Sequence, residues 1–102
     1  MKFLNYTPHR IKLNDGRVFD SEGSVRVETS YSAVNDSFLC DEYLGTVKGL
    51  PDRKEGVMII VSKMIMMLCD RSDLVCPATG HPEAVRDSRG IVSVPCFISH
   101  IS

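Results

Sequence analysis

The sequence predicts an α+β fold: a small antiparallel or mixed β-sheet meander with one short buried helix at about residues 62–70. Three observations predict it. Residues 57–61 are apolar throughout and mostly β-branched, as in a strand covered on both faces. Residues 63–69 are rich in Met and Leu, which lose little rotamer freedom in a helix. The remaining segments are short and alternate apolar with polar residues between turn signals, which indicates antiparallel strands.

The first half of the chain reads as short strands joined by turns. The first strand ends where Thr7 precedes Pro8, because a residue before proline is restricted to extended conformations. The turn Asn14-Asp15-Gly16 predicts a hairpin between its two flanking segments. The predicted strands are 2–6, 10–13, 17–19, 24–29 and 38–48, with residues 30–36 as a loop.

The second half contains the buried strand and helix. Ser62 stands between them, where its hydroxyl can cap the helix by accepting from a backbone N–H of the first turn. The helix is expected to be nearly all buried and to be followed by a short strand over residues 74–76. Residues 84–87 are expected to pair with a last strand over residues 91–97. Pro95 places that strand at an edge or a bulge, because proline lacks a donor.

Length and composition restrict the function classes. A chain of 102 residues is expected to form a single domain, residues 1–102. The net charge of −1 argues against a partner that is polymeric nucleic acid, since such domains usually carry a basic excess. No secretory signal and no run long enough to span a bilayer are present, which predicts an intracellular protein without a membrane partner.

The four cysteines form no CxxC pair and stand mainly in or beside apolar runs. In a reducing compartment they are most simply buried small hydrophobic residues. A zinc site that recruits His81 or His100 is the alternative, and no metal site is predicted.

Two polar segments are candidates for binding an anion. Arg71 and Asp73 lie between the predicted helix and a buried strand, where a rigidly held Arg can fork onto a phosphate or carboxylate. The competing explanation is that Arg71 satisfies the last helical carbonyls and pairs with Asp73. His9 and Arg10 follow the restricted Thr7-Pro8 backbone, and Arg86 in the late hairpin can add positive charge or simply be solvated.

Catalysis has no positive support in the sequence. Ser62 stands at a strand-to-helix junction, but the flanking glycines of the GxSxG elbow are missing, and a helix cap explains the residue with fewer assumptions. No Walker loop, GxGxxG, HExxH or EF-hand pattern occurs, so no cofactor and no catalytic residue is predicted. A small hydrolase that uses His9 or Ser62 remains a weaker alternative.

Several motifs occur in order along the chain. They are Asn5-Tyr6-Thr7-Pro8-His9, Gly49-Leu50-Pro51 followed by Glu55-Gly56, Ile60-Val61-Ser62, Arg71-Ser72-Asp73 with Pro77, and Val85-Arg86-Asp87 with Gly90-Ile91-Val92. Together these motifs resemble a family of small, largely uncharacterised phage and prophage proteins. Members of that family tend to have Leu at the position of Tyr6 and an Ala-rich helix where this chain has Met64 to Met67. The resemblance implies a viral protein that acts in the cytoplasm of an infected bacterial cell, and it suggests an anti-defence role.

These observations lead to a function hypothesis with two alternatives. The first is a non-enzymatic protein that binds a small anionic, nucleotide-like ligand and sequesters a nucleotide immune signal, as a homo-oligomer with a composite site. The alternatives are a protein-interaction or structural phage component and the small hydrolase. The ligand-binding residues predicted are Thr7, His9, Arg10, Ser62, Arg71, Asp73 and Arg86, with Tyr6 and Tyr31 as stacking surfaces.

Overall fold

The computed structural model describes all residues from Met1 to Ser102 and contains ten strands and one helix. Strands make up 40 % of the residues and the helix 6 %, so the structure is mostly β and roughly α+β, as predicted. The elements are β1 (Lys2–Asn5), β2 (Ile11–Lys12), β3 (Val18–Phe19), β4 (Arg26–Tyr31), β5 (Glu42–Lys48), β6 (Val57–Ile60), α1 (Lys63–Leu68), β7 (Leu74–Pro77), β8 (Val85–Asp87), β9 (Gly90–Ser93) and β10 (Phe97–Ile98).

A four-stranded mixed sheet forms the centre, in the order β1-β6-β7-β10. Strand β1 pairs with β6 in parallel, from Lys2 opposite Val57 to Asn5 opposite Ile60. Strand β7 lies parallel on the other side of β6, and β10 pairs with β7 in the antiparallel direction. The prediction of a single meander is therefore wrong. Because β6 is apolar on both faces, it takes the interior of the sheet, and the alternating segments form three separate two-stranded hairpins.

Both faces of the central sheet are covered. On one face, Ile59, Val61 and Leu74 form a buried cluster with Ile65 of α1. The base of the β4–β5 hairpin packs against this cluster through apolar side chains that include Val27. On the other face, three phenylalanines pack with ring centroids 5.1–6.0 Å apart; they are Phe3, Phe19 and Phe97. This double coverage confirms the prediction of a strand covered on both faces at residues 57–61, which the structure places at Val57–Ile60.

The helix has the predicted cap but not the predicted burial. Ser62 is extended, and its Oγ accepts from the N–H of Ile65 at 3.3 Å. The prediction that the helix is nearly all buried is wrong, since only Ile65 is buried and Met64, Met67 and Leu68 are exposed. A helix of six residues against one sheet can bury only one side, whatever its composition.

The β4–β5 hairpin extends away from its packed base, and residues 27–47 are called the arm below. The sequence predicted a loop over residues 30–36, whereas β4 continues through Tyr31 and β5 begins only at Glu42. Gly49 closes the base of the arm with φ of +89°. A Cβ there would lie 2.8 Å from the carbonyl oxygen of Ser24, so the backbone segments at Gly49 and Ser24 approach more closely than any residue other than glycine allows.

The C-terminal segment confirms the role predicted for proline. Residues 85–87 and 90–93 form the predicted late hairpin, but the strand expected over residues 91–97 is broken. The break separates β9 from β10 around Pro95, and β10 is one of the two edge strands of the central sheet. Proline has no N–H to donate to a neighbouring strand. The chain therefore ends its pairing with β8 before Pro95 and begins to pair with β7 after it.

The one-sided burial of α1 predicts unequal effects of two substitutions in the helix. Ile65→Ala should lower the free energy of unfolding by about 2–4 kcal/mol, because it removes buried methyl groups and leaves a cavity. Met67→Ala, at a position that is 66 % exposed, should change it by no more than about 0.5 kcal/mol. Urea unfolding followed by circular dichroism measures both, and equal losses would contradict the observed packing.

Candidate functional site

A cavity of 550 Å³ lies at one edge of the central sheet, where the three parallel strands end. Strands β1, β6 and β7 run in the same direction, so the segments that follow them emerge side by side. Crevices outside the carboxyl ends of parallel strands are where open sheets usually bind ligands. The lining residues from these three segments are Thr7, Pro8, His9, Arg10, Ser62, Lys63, Pro77 and Thr79.

The segment after β1 is fixed by the buried side chain of Asn5, which is 1 % exposed. Its Nδ2 donates to the carbonyl oxygens of His9 at 2.7 Å and Phe19 at 2.9 Å. Its Oδ1 accepts from the backbone N–H of Thr7 at 2.9 Å and from the Thr7 hydroxyl at 2.6 Å. All four hydrogen-bonding positions of the amide are therefore used, and the turn from Thr7 to His9 is held against the sheet.

The opposite wall of the cavity comes from two hairpins. Ile11 and Lys12 of β2 line it together with residues 91–94, which belong to β9 and the segment after it. The two hairpins are joined by hydrogen bonds from the N–H of Val94 to the carbonyl of Lys12 and from Ser93 Oγ to Asn14 Oδ1, at 3.0 and 2.6 Å. One backbone and one side-chain hydrogen bond therefore hold the two hairpins together as a single wall.

The charges that line the cavity are all positive. Lys12 and Lys63 are exposed and make no ion pair, and no Asp or Glu lines the cavity. Arg10 also lines it, but its Nε donates to Asp20 Oδ1 at 2.6 Å. Aliphatic side chains of Ile91 and Val92 complete the wall. The arrangement suits an anion that also carries an apolar part.

Ser62 contributes to the cavity as a helix cap. Its Oγ accepts one hydrogen bond, from Ile65, and no histidine ring bonds to it. The backbone carbonyl of His9 is held by Asn5, while the His9 side chain is exposed at the cavity. No nucleophile and base are therefore in hydrogen-bond contact at this edge.

Four of the predicted ligand-binding residues come together here: Thr7, His9, Arg10 and Ser62 all line the cavity. The expectation that Arg71 and Asp73 complete the same site is wrong. They precede β7, whereas the cavity lies beyond its carboxyl end, so they lie at the other edge of the sheet. Arg71 borders a different cavity, of 610 Å³, beside the C-terminal residues.

Arg71 has the structural role that the sequence left open as its competing explanation. Its Nε and Nη2 donate to the two carboxylate oxygens of Asp73 at 2.9 and 2.6 Å, and its Nη1 donates to the carbonyl of Pro51 at 3.0 Å. Asp73 is 4 % exposed. The hydrogen bonds between the two side chains lower the pKa of Asp73 and raise the pKa of Arg71. Each nitrogen of the Arg71 guanidinium group is therefore engaged within the chain. It pairs with Asp73 as in that explanation, but the carbonyl that it bonds belongs to Pro51 and not to the helix.

The other predicted residues stand outside the cavity. Arg86 donates through Nη2 to the carbonyl of Thr79, so it supports one lining residue from behind. Tyr6 packs against the core cluster and lies over Gly23, and its ring is not a stacking surface for the cavity. Tyr31 lies on the arm, where a hydrogen bond to Glu42 raises its pKa.

Sequence reasoning missed the two free lysines and the residue that fixes the loop. Lys12 and Lys63 look like ordinary solvent-facing positions, and only the parallel pairing of distant strands brings them to one cavity. Asn5 appears in the motif Asn5-Tyr6-Thr7-Pro8-His9, but its burial was not predicted. An asparagine two residues before Thr7 is the signal, since Asn side chains often bond the backbone two residues on.

A scan of protein-family models and searches of curated proteins and of solved structures found no match. The resemblance to phage proteins therefore stays a prediction.

Other expectations concern metals, cysteines and membranes. No group of three or more His, Cys, Asp or Glu side chains is placed to hold a metal ion. All four cysteines are free; Cys76 is buried, which raises the pKa of its thiol, while Cys40 and Cys96 are exposed, contrary to the expectation. No helix in this chain has the length and apolar character needed to cross a bilayer.

The hydrogen bonds of Asn5 predict a large effect of its removal. Asn5→Ala leaves the carbonyls of His9 and Phe19 and the N–H of Thr7 without this partner, and each such loss costs about 1–3 kcal/mol where water cannot replace it. We expect the free energy of unfolding to fall by at least about 2 kcal/mol. Asn35→Ala, which removes a similar turn at an exposed site, is the matched control and should cost about 1 kcal/mol or less. Equal losses would show that Asn5 does not hold the edge.

The Arg71–Asp73 pair predicts a pH dependence of stability. Because the folded pKa of Asp73 lies below its ordinary value of 3.8, the pair stabilises the fold above that pH and loses its contribution as the pH falls through the folded pKa. In Asp73→Asn, the free energy of unfolding should therefore decline less than in the unmodified chain between pH 6 and the acid limit of folding. Asp70→Asn, at an exposed position without an ion pair, should keep the original slope. Identical slopes in both variants would contradict the assignment.

Proposed function

We propose that this protein is a non-enzymatic binding protein that captures a small anionic, nucleotide-like ligand in the cavity at the carboxyl ends of β1, β6 and β7. The observation that supports the proposal best is the lining itself. Two lysines without ion pairs, an arginine and a histidine face one cavity that no carboxylate lines. The volume of 550 Å³ falls in the range of small-molecule sites.

Each part of the cavity has a role in this proposal. Lys12 and Lys63 bind the phosphate groups, and His9 donates a further hydrogen bond. Thr7 shapes the site, because its hydroxyl already donates to Asn5, whereas Ser62 only accepts from Ile65 and its hydroxyl proton is free to donate to the ligand. The aliphatic wall at Ile91 and Val92 contacts the sugar or base, in place of the aromatic stacking expected from Tyr6 or Tyr31.

The biological role proposed here follows from the resemblance to phage proteins. In it, the chain acts inside an infected bacterial cell, binds a nucleotide immune signal and withdraws that signal from the host defence without altering it. The lack of a nucleophile and base in contact at the cavity supports sequestration over hydrolysis.

A protein-interaction role is the second candidate, and the arm favours it. Six of its large apolar side chains are exposed, which is unusual for so short a segment. They are Tyr31, Val34, Phe38, Leu39, Tyr43 and Leu44.

Calorimetry and native mass spectrometry with cyclic dinucleotides and ADP-ribose derivatives test the proposal. The Lys12→Glu/Lys63→Glu variant should bind the captured compound at least about tenfold more weakly, because a hydrogen bond to a charged group contributes about 1.5–3 kcal/mol. The control is Lys2→Glu/Lys54→Glu, which makes the same change in net charge with two exposed lysines at the amino ends of β1 and β6. The control variant should bind as the unmodified chain does.

Two results would contradict this function. The first is the absence of binding to any of these compounds. The second is binding that both double variants weaken equally, because it would show a dependence on net charge and not on the cavity. Mass analysis of the compound after release also separates the candidates, since a sequestering protein returns the ligand unchanged and a hydrolase does not.

A further inference from the structure

The arm differs in charge from the rest of the chain. Residues 27–47 contain Glu28, Asp36, Asp41 and Glu42 and no Lys or Arg. All 12 basic residues of the chain therefore lie outside the arm, together with the other nine acidic residues. Glu28 is paired with Lys48 at 2.6 Å near the base. Three carboxylates without such a pair remain towards the tip, at a distance along the chain from any basic side chain.

The tip of the arm, defined here as residues 34–42, is an organised turn. Asn35 Oδ1 accepts from the N–H groups of Ser37 and Leu39 at 2.9 and 3.0 Å. Inside this turn, Phe38 has φ of +63° and is 89 % exposed. A bulky residue in the left-handed region is strained, and nothing in the chain packs against its ring in return. Such strain at an exposed aromatic residue points to a contact outside the chain.

The tip and the cavity are complementary. The tip exposes Phe38 and Leu39, which Asp36 and Asp41 flank in the sequence, while the cavity is lined by aliphatic side chains together with Lys12 and Lys63. No acid lines the cavity and no base lies on the arm, so each surface attracts the other and repels its own kind. A symmetric contact between two tips would bring like charges together and is disfavoured.

We propose that the tip of one chain docks into the cation-lined cavity of a second copy. The contact is head-to-tail, so each chain offers one tip and one cavity, and repeated contacts build rings or open chains. This inference rests on the proposed function in that it uses the same cavity. The carboxylates of the tip occupy the positions of the ligand phosphates, and a small anionic ligand therefore competes with the second copy and releases it.

A complementation experiment tests this arrangement. The tip variant is Asp36→Asn/Phe38→Asn/Asp41→Asn, which leaves a neutral tip that neither cavity attracts; Asn tolerates the left-handed backbone, and the side chains replaced make no hydrogen bonds. The cavity variant is Lys12→Glu/Lys63→Glu. In sedimentation velocity at low salt, the unmodified chain should associate with rising concentration, and each variant alone should stay monomeric. An equal mixture should form a species of about twice the monomer mass and nothing larger, because only one working tip and one working cavity remain in each pair.

The controls separate folding and net charge from docking. Circular dichroism should show the same spectrum for both variants and the unmodified chain. The Lys2→Glu/Lys54→Glu variant, with the charge change of the cavity variant, should associate as the unmodified chain does. An unmodified chain that stays monomeric, or a mixture of variants that stays monomeric, would overturn the inference. Association that persists in either variant alone would also overturn it, since the contact would then lie elsewhere.

Ligand binding distinguishes failure of this inference from failure of the proposed function. Pyrophosphate and a cyclic dinucleotide serve as probes, and the monomeric tip variant keeps an intact cavity. If the tip variant binds a probe while the unmodified chain never associates, only the docking of a second copy is wrong. If complementation succeeds and no probe binds, the proposed function is wrong. If both hold, either probe should shift the unmodified chain towards monomer.

Discussion

The buried amide of Asn5 is the interaction on which the edge of the sheet beside the candidate cavity depends. A parallel strand that ends inside a fold must turn without leaving its last backbone groups unpaired. Asn5 meets that requirement at β1 by donating to His9 and Phe19 and accepting from Thr7, so one side chain joins the first strand, the first hairpin and the loop between them. The positions of the lining residues from Thr7 to His9 follow from that arrangement.

Local signals in the sequence were enough to predict much of the fold. The Asn14-Asp15-Gly16 hairpin, the Ser62 cap and the strand covered on both faces all depend on neighbouring residues, and each is present. The partners of the strands were not predictable in the same way. Strand β1 pairs with β6, which lies more than 50 residues further along, and no local pattern in residues 2–5 distinguishes that partner from the adjacent hairpin.

The candidate site shows the same limit. Arg71 was expected to reach a ligand because it stands at the end of a buried element, but sequence does not tell which edge of a sheet that end faces. Once β7 is parallel to β6, Arg71 and Asp73 lie at the amino edge and serve stability, while the carboxyl edge receives Lys12 and Lys63. The two edges therefore differ in charge pairing: Arg71 and Asp73 form an ion pair at the amino edge, whereas the lysines at the carboxyl edge have no acidic partner.

The pairing of β1 with β6 also determines when the cavity can form during folding. The hairpins close short loops and can form within microseconds. The contact between Lys2 and Val57 must instead close a loop of more than 50 residues. The chain loses the conformational entropy of that loop before the contacts of the sheet stabilise it. On a ribosome, β1 therefore stays unpaired until β6 has emerged, and the cavity forms late in folding.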